Sequence, residues 1–110
     1  MAKYEKNVTG NFYDILNKID SAVMDGSVSA SFEDGSEYHE DGVDFALRVY
    51  ERYSYFGGNR TSMAITIVGS NNRYLVSAVT SGGSRAMFFK INTVGENAFL
   101  DTIVETLDRL

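Results

Sequence analysis

Between Val43 and Ile91 apolar and polar residues alternate with a period of two, and three short glycine- or asparagine-rich stretches interrupt the alternation. Val43, Phe45, Leu47 and Val49 are interleaved with Asp44, Ala46, Arg48 and Tyr50, the pattern of a strand with one buried face. The aromatics Tyr53, Tyr55 and Phe56 continue it, and Gly57-Gly58-Asn59 supplies the positive φ that a hairpin turn needs. Met63, Ile65 and Ile67 then alternate with Ala64, Thr66 and Val68, up to a second turn at Gly69-Ser70-Asn71-Asn72. Tyr74, Val76 and Ala78 alternate with Leu75, Ser77 and Val79, Ser81-Gly82-Gly83-Ser84 turns again, and Ala86 to Ile91 reads as a returning strand. Strands joined by turns this short are antiparallel neighbours, because a parallel pair needs a crossover of about a dozen residues or more.

The flanks carry a different period. Asn11 reads as an N-cap, and Phe12, Ile15, Leu16, Ile19, Ala22 and Val23 follow at helical spacing, with Gly26 closing the helix. Lys3 to Val8 reads as a short strand before it, and residues 27 to 33 as a strand after it. Asp34-Gly35 reads as a turn, Glu37 to Glu40 as an edge strand and Asp41-Gly42 as a further turn. Thr93-Val94-Gly95-Glu96 fits a capping box ahead of a C-terminal stripe of Phe99, Leu100, Ile103, Val104 and Leu107.

The predicted fold class is α+β, in one domain over residues 1–110: an antiparallel meander of five or six strands with two helices on one face. The order is strand, helix, four strands, an optional sixth strand, helix. That order resembles TATA-binding-protein-like and helix-grip topologies, a likeness of fold that carries no function. If Phe45, Leu47, Met63, Ile65 and Ile67 face the helices, Ala46, Tyr50, Ala64 and Val68 share the free face with Arg48 and Arg52. These six residues are the expected interface of a homo-oligomer.

Composition narrows the partners. The 110 residues include no Cys, so disulfides and cysteine metal sites are ruled out, and 44% hydrophobic content is too high for disorder. No apolar run approaches the roughly 18 residues of a membrane span, and the N-terminus lacks a signal-peptide core, so a cytoplasmic location without membrane contact is expected. Net charge is −5, but unevenly spread. Residues 45 to 90 hold six basic side chains against Glu51 alone, a balance of +5; the other four basic and fourteen acidic side chains balance at −10. Arginines interleaved with Tyr50, Tyr53, Tyr55, Tyr74 and Phe88 are the kind of surface that stacks bases. An acidic chain argues against it, since nucleic-acid-binding domains are basic, with pI above about 9.

Two turns repeat Gly-Gly-x-Arg: Gly57, Gly58 and Arg60 in one, Gly82, Gly83, Ser84 and Arg85 around the other. As first and third turns of a meander they fall at one end of the sheet, about 10 Å apart. Glycine amides with arginines form a candidate site for a small anion. Plain hairpin chemistry explains the same residues. His39 is the only histidine and, among acids, reads as a surface turn residue. No phosphate loop, dinucleotide fingerprint, nucleophile elbow or metal-ligand spacing is present, so no cofactor and no catalytic residue is assigned.

Arg-Val-Tyr-Glu-Arg-Tyr-Ser-Tyr at 48 to 55, Gly-Asn-Arg-Thr-Ser at 58 to 62, Thr-Ser-Gly-Gly-Ser at 80 to 84 and Gly-Glu-Asn-Ala-Phe-Leu-Asp at 95 to 101 together resemble a family of small bacterial domains of unknown function. The resemblance covers nearly the whole chain. It implies a soluble single-domain bacterial protein and supplies no activity.

Three functional readings compete. The first is a non-enzymatic binding or assembly module that self-associates through the sheet. The second is a binder of small molecules or anions, with a pocket between the sheet and the C-terminal helix. The third, an enzyme, ranks last because no acid–base pair is legible. The absence of proline makes one prediction independent of these: refolding followed by stopped-flow fluorescence should lack a prolyl phase of tens of seconds.

Overall fold

Asp41-Gly42 and Asn71-Asn72 are residue pairs that tolerate positive φ, and they fix the register of the strands on either side. The structure, a computed structural model, describes residues 1–27, 29–53, 60–82 and 89–110, with only the backbone described over 89–98. The elements run β1 (Ala2–Thr9), α1 (Phe12–Gly26), β2 (Ser31–Glu40), β3 (Val43–Tyr53), β4 (Arg60–Ser70), β5 (Arg73–Gly82) and α2 (Phe89–Asp108). At Asp41 and Gly42 φ is 53° and 79°, and at Asn71 and Asn72 it is 54° and 62°, the positive values of the tight turn that suits strand twist. β2 to β5 pair in sequence order, and β1 closes the far edge antiparallel to β5, giving the order β1-β5-β4-β3-β2. Gly69 sits where β4 and β5 converge; a Cβ there would lie 2.0 Å from the Arg73 carbonyl oxygen.

One sheet face packs under the helices and holds the core. It carries Ala46 and Tyr50 of β3, Met63, Ile65 and Ile67 of β4, Tyr74, Val76 and Ala78 of β5, and Val8 of β1. Phe12, Ile15, Leu16, Ile19 and Val23 of α1 and Phe99, Leu100, Ile103 and Leu107 of α2 complete this core. Asp20 of α1 accepts from Arg48 Nη2 at 2.8 Å and from the Tyr50 hydroxyl at 2.7 Å. Asp108 of α2 accepts from the Tyr4 hydroxyl and pairs with Lys6 Nζ at 3.5 Å. The Arg52 guanidinium lies 5.0 Å from the centre of the Phe99 ring. By strand register these sheet partners all belong to the buried face. The helices approach each other closely at Gly26, where a Cβ would meet Thr102 Cβ at 3.0 Å.

Three expectations need correction. β3 has the opposite phase: Ala46 lies opposite Ile67, Arg48 opposite Ile65 and Tyr50 opposite Met63, so Ala46, Arg48, Tyr50 and Arg52 turn toward the helices. Phe45, Leu47 and Val49 take the other face, with Ala64 and Val68. Alternation favours Phe45, Leu47 and Val49 for burial, yet the set carrying two arginines turns inward. The choice falls to the Asp20–Arg48–Tyr50 hydrogen bonds, which only the second phase can form. Asp34-Gly35 is not a turn but part of β2, which passes through with one irregularity between Phe32 and Asp34. α2 begins at Phe89, so Thr93 and Glu96 lie inside the helix and Ile91 does not belong to a strand. The described residues form five strands.

Ile65→Ala should destabilise the protein by about 2–5 kcal/mol, the cost of a cavity in a closed core. Val68→Ala, on the partly open face, should cost less than about 1 kcal/mol. Urea unfolding followed by circular dichroism compares the two.

Candidate functional site

The anion site expected from the glycine turns is only partly in view. Gly57, Gly58, Gly83, Ser84 and Arg85 lie outside the described residues. Arg60 and Gly82 are neighbours at the end of the β4–β5 pair. The Arg60 guanidinium donates to Glu51 Oε1 at 2.7 Å, so its charge already has a carboxylate partner. The aromatic positions offered for base stacking turn inward at Tyr50 and Tyr74, which are 0% and 4% exposed. Among the described residues no group of three or more His, Asp or Glu side chains is placed to hold a metal ion. No helix described is long and apolar enough to cross a membrane.

A polar cluster forms at the opposite end of the sheet, around His39. The Asp41-Gly42 turn places His39 of β2 directly opposite Asp44 of β3. His39 Nδ1 is 2.8 Å from Asp44 Oδ1, and its Nε2 faces the Tyr13 hydroxyl at 3.2 Å and Glu37 Oε2 at 3.3 Å. Tyr13 also donates to Glu37 at 3.1 Å, and Tyr74 donates to Asp44 Oδ2 at 2.7 Å. Tyr13 reaches the cluster because Asn11 caps α1, accepting from the amides of Tyr13 and Asp14 at 3.0 and 3.2 Å. The Gly10 amide ties this start to the Asn72 carbonyl at 3.0 Å. The Phe12 ring meets His39 edge-on at 5.5 Å and tilts against Tyr74 at the same distance. Between these groups, Asn71, Asn72 and Gly42 opens a cleft of about 440 Å³.

The charges respond to these contacts. Hydrogen bonds to Asp44 and then to Glu37 raise His39 above its ordinary value. The bonds from His39 and Tyr74 hold Asp44 below the usual carboxylate value. The carboxylate partners raise both phenols, Glu37 acting on Tyr13 and Asp44 on Tyr74. Ionised Asp44 can only accept, so Nδ1 of His39 carries a proton in either charge state. In the neutral ring Nε2 competes with Glu37 for the single Tyr13 hydroxyl proton; in the cation Nε2 donates and that proton stays on Glu37.

The chain belongs to the Family of unknown function (DUF6054). The family model matches residues 1–110, the whole sequence. No curated protein matches it. The resemblance read from the sequence therefore has its family, and the DUF6054 assignment brings no residue roles. The cluster was missed because a lone histidine among acids has no periodic signature. The signal that could have found it is the two-residue turn: strands flanking Asp41-Gly42 must pair Glu40 with Val43 and His39 with Asp44.

A raised histidine stabilises the fold fully below its ordinary 6.5, and that contribution is lost as pH rises through the higher folded value. A lowered Asp44 contributes above the ordinary 3.8 and loses that contribution as pH falls through the lower folded value. The pair should therefore support stability most between about pH 4 and 6.5. The urea midpoint of the natural protein should fall as pH rises above about 6.5, and His39→Gln should remove that fall.

Proposed function

We propose that the chain is a non-enzymatic assembly module whose uncovered sheet face packs on the same face of a second copy. The observation that carries this reading is the side-chain pattern on that face. Strand register aligns Tyr38, Phe45, Val68 and Leu75 in one row and Val49, Ala64 and Val79 in another. Leu47, Thr66 and Ser77 lie between them. The Tyr38 and Phe45 rings lie tilted against each other with centres 6.0 Å apart, and Val68 and Leu75 remain 36% and 37% exposed. Among the described residues, α1 and α2 make their sheet contacts on the other side.

Charge supports the same partner. The face's ionised groups sit at its margins, where Lys3 pairs with Glu5 and Arg60 with Glu51. An apolar centre with a polar rim is the usual anatomy of a protein interface. β3 and β4 have 11 residues each, and the sheet has five strands. At roughly 3.3 Å per residue and 4.8 Å per strand the face is on the order of 800 Å², about what each partner buries in a standard complex. Two such twisted sheets pack about 30° apart. Of the interface expected from sequence, Ala64 and Val68 stay in this proposal; Ala46, Arg48, Tyr50 and Arg52 are held under the helices.

Sedimentation at micromolar concentration should give twice the chain mass. Since each copy carries −5, added salt should tighten the pair. Val68→Lys with Leu75→Lys should yield a folded monomer. A monomer in the natural sequence, up to about 100 μM, would refute the assembly.

A further inference from the structure

The uncovered face carries a knob at one edge and a hollow at the other. Strand register levels Tyr38 of β2 with Phe45, Val68 and Leu75, and the same row ends at Asn7 of β1. Tyr38 stands 65% exposed at the β2 end. At the β1 end Asn7, Thr9, Val68, Arg73 and Leu75 surround a hollow of about 390 Å³, completed by Val8 and Tyr74. Four strand spacings, roughly 19 Å, separate Tyr38 from Asn7, so the ring does not reach the hollow of its own chain. Charge follows the same layout. Glu40 lies two residues beyond Tyr38 on β2, and Arg73 two residues before Leu75 on β5, so both belong to this face. Neither has an ion-pair partner among the described residues. In the row of Val49, Ala64 and Val79, Asp34 at the β2 end is level with Lys3 at the β1 end.

We propose that, in the face-to-face pair on which this inference rests, the two-fold axis runs along β4 and seats Tyr38 of each copy in the hollow of the other. β4 is the central strand, with β5 and β1 on one side and β3 and β2 on the other. A half-turn about it lays β1 of one copy over β2 of its partner and keeps every row level with itself. Tyr38 then meets the partner's Leu75 and Asn7. Its ring covers apolar surface, and its hydroxyl oxygen comes within reach of amide and guanidinium donors. Glu40 falls beside the partner's Arg73, and Lys3 over the partner's Asp34. A crossing of about 30° between the sheets tilts the axis by about 15° from β4. An axis across the strands is the alternative. It would set the acidic β2 on a second β2 and leave both hollows without their tyrosines. Like charges brought face to face reject that orientation. Ion pairs at an exposed rim select an orientation more than they add affinity, so the −5 carried by each copy still governs the response to salt.

Sedimentation and cross-linking of the full chain test this geometry, and the lack of native Cys makes any introduced thiol unique. Tyr38→Ala should raise the dimer dissociation constant by about tenfold or more, and Tyr38→Phe should leave it within about threefold. Arg73→Glu and Glu40→Arg should each weaken the pair about tenfold; combined in one chain they restore the natural net charge and should return it to within about threefold. Lys18→Glu, on the exposed side of α1, makes the same charge change as Arg73→Glu and should shift it less than about threefold. Glu5 and Ser36 end the row of Leu47, Thr66 and Ser77. A mixture of Glu5→Cys and Ser36→Cys chains should therefore be joined by a short bismaleimide. Ser36→Cys alone should not, because its two copies lie roughly 19 Å apart or more. The orientation is overturned, and the assembly stands, if a dimer forms in which Ser36→Cys links to itself, the mixture does not link, Tyr38→Ala pairs as the natural chain does, or the double exchange fails to restore affinity. A monomer in the natural sequence overturns the assembly itself, and the orientation with it.

Discussion

The register of β3 is the constraint on which the rest of the molecule depends. A strand's side chains alternate between faces, so its pairing decides which half of its residues enters the core. In β3 the half that turns inward carries Arg48 and Arg52 beside Ala46 and Tyr50. Asp20 supports that phase by accepting hydrogen bonds from Arg48 and Tyr50 across the helix–sheet layer. Burial, reinforced by Asp20, pushes the Tyr50 phenol up to about 12, so it stays a donor throughout the ordinary pH range. Arg48 lies 4.1 Å from the centre of the Phe32 ring, which extends the arrangement to the edge strand. A slip of one residue would bury Phe45 and Leu47 and strand Asp20 beside an apolar surface.

The same register makes the two faces of the sheet unequal in kind. The helix-bearing face is closed by large aliphatic side chains and polar pairs from both helices. The other keeps rows of apolar residues separated by hydroxyls, which is tolerable in water but gains from being covered. The polar cluster at His39 is a third product of that phase, since it brings Asp44 to the helix side with Ala46 and Arg48. Had β3 slipped, His39 would lack the carboxylate that orients it.

Much of this was readable in advance. The helical stripes of Phe12 to Val23 and Phe99 to Leu107, the alternations of β4 and β5 and the antiparallel order follow from periodicity, because each has one clearly apolar face. The phase of β3 was misread, because alternation alone favours the Phe45–Leu47–Val49 face and the deciding partner, Asp20, is 28 residues from Arg48. The start of α2 was misplaced because Thr93 and Glu96 have the spacing of a cap without being at a helix end. Asp34-Gly35 misled for a similar reason: a turn dipeptide is absorbed by a strand when its partner supplies the hydrogen bonds. The polar cluster around His39 joins residues from four elements, and no local pattern encodes such a convergence.

β1, the first element of the chain, pairs with β5, the last strand, from Ala2 opposite Thr80 to Thr9 opposite Arg73. During synthesis the leading strand therefore has no edge to join until residue 82 has emerged. Strands β2, β3 and β4 can pair with their sequence neighbours as they appear, while the N-terminal segment waits for a distant one. A ribosome stalled before β5 would release a chain whose opening strand has nowhere to dock.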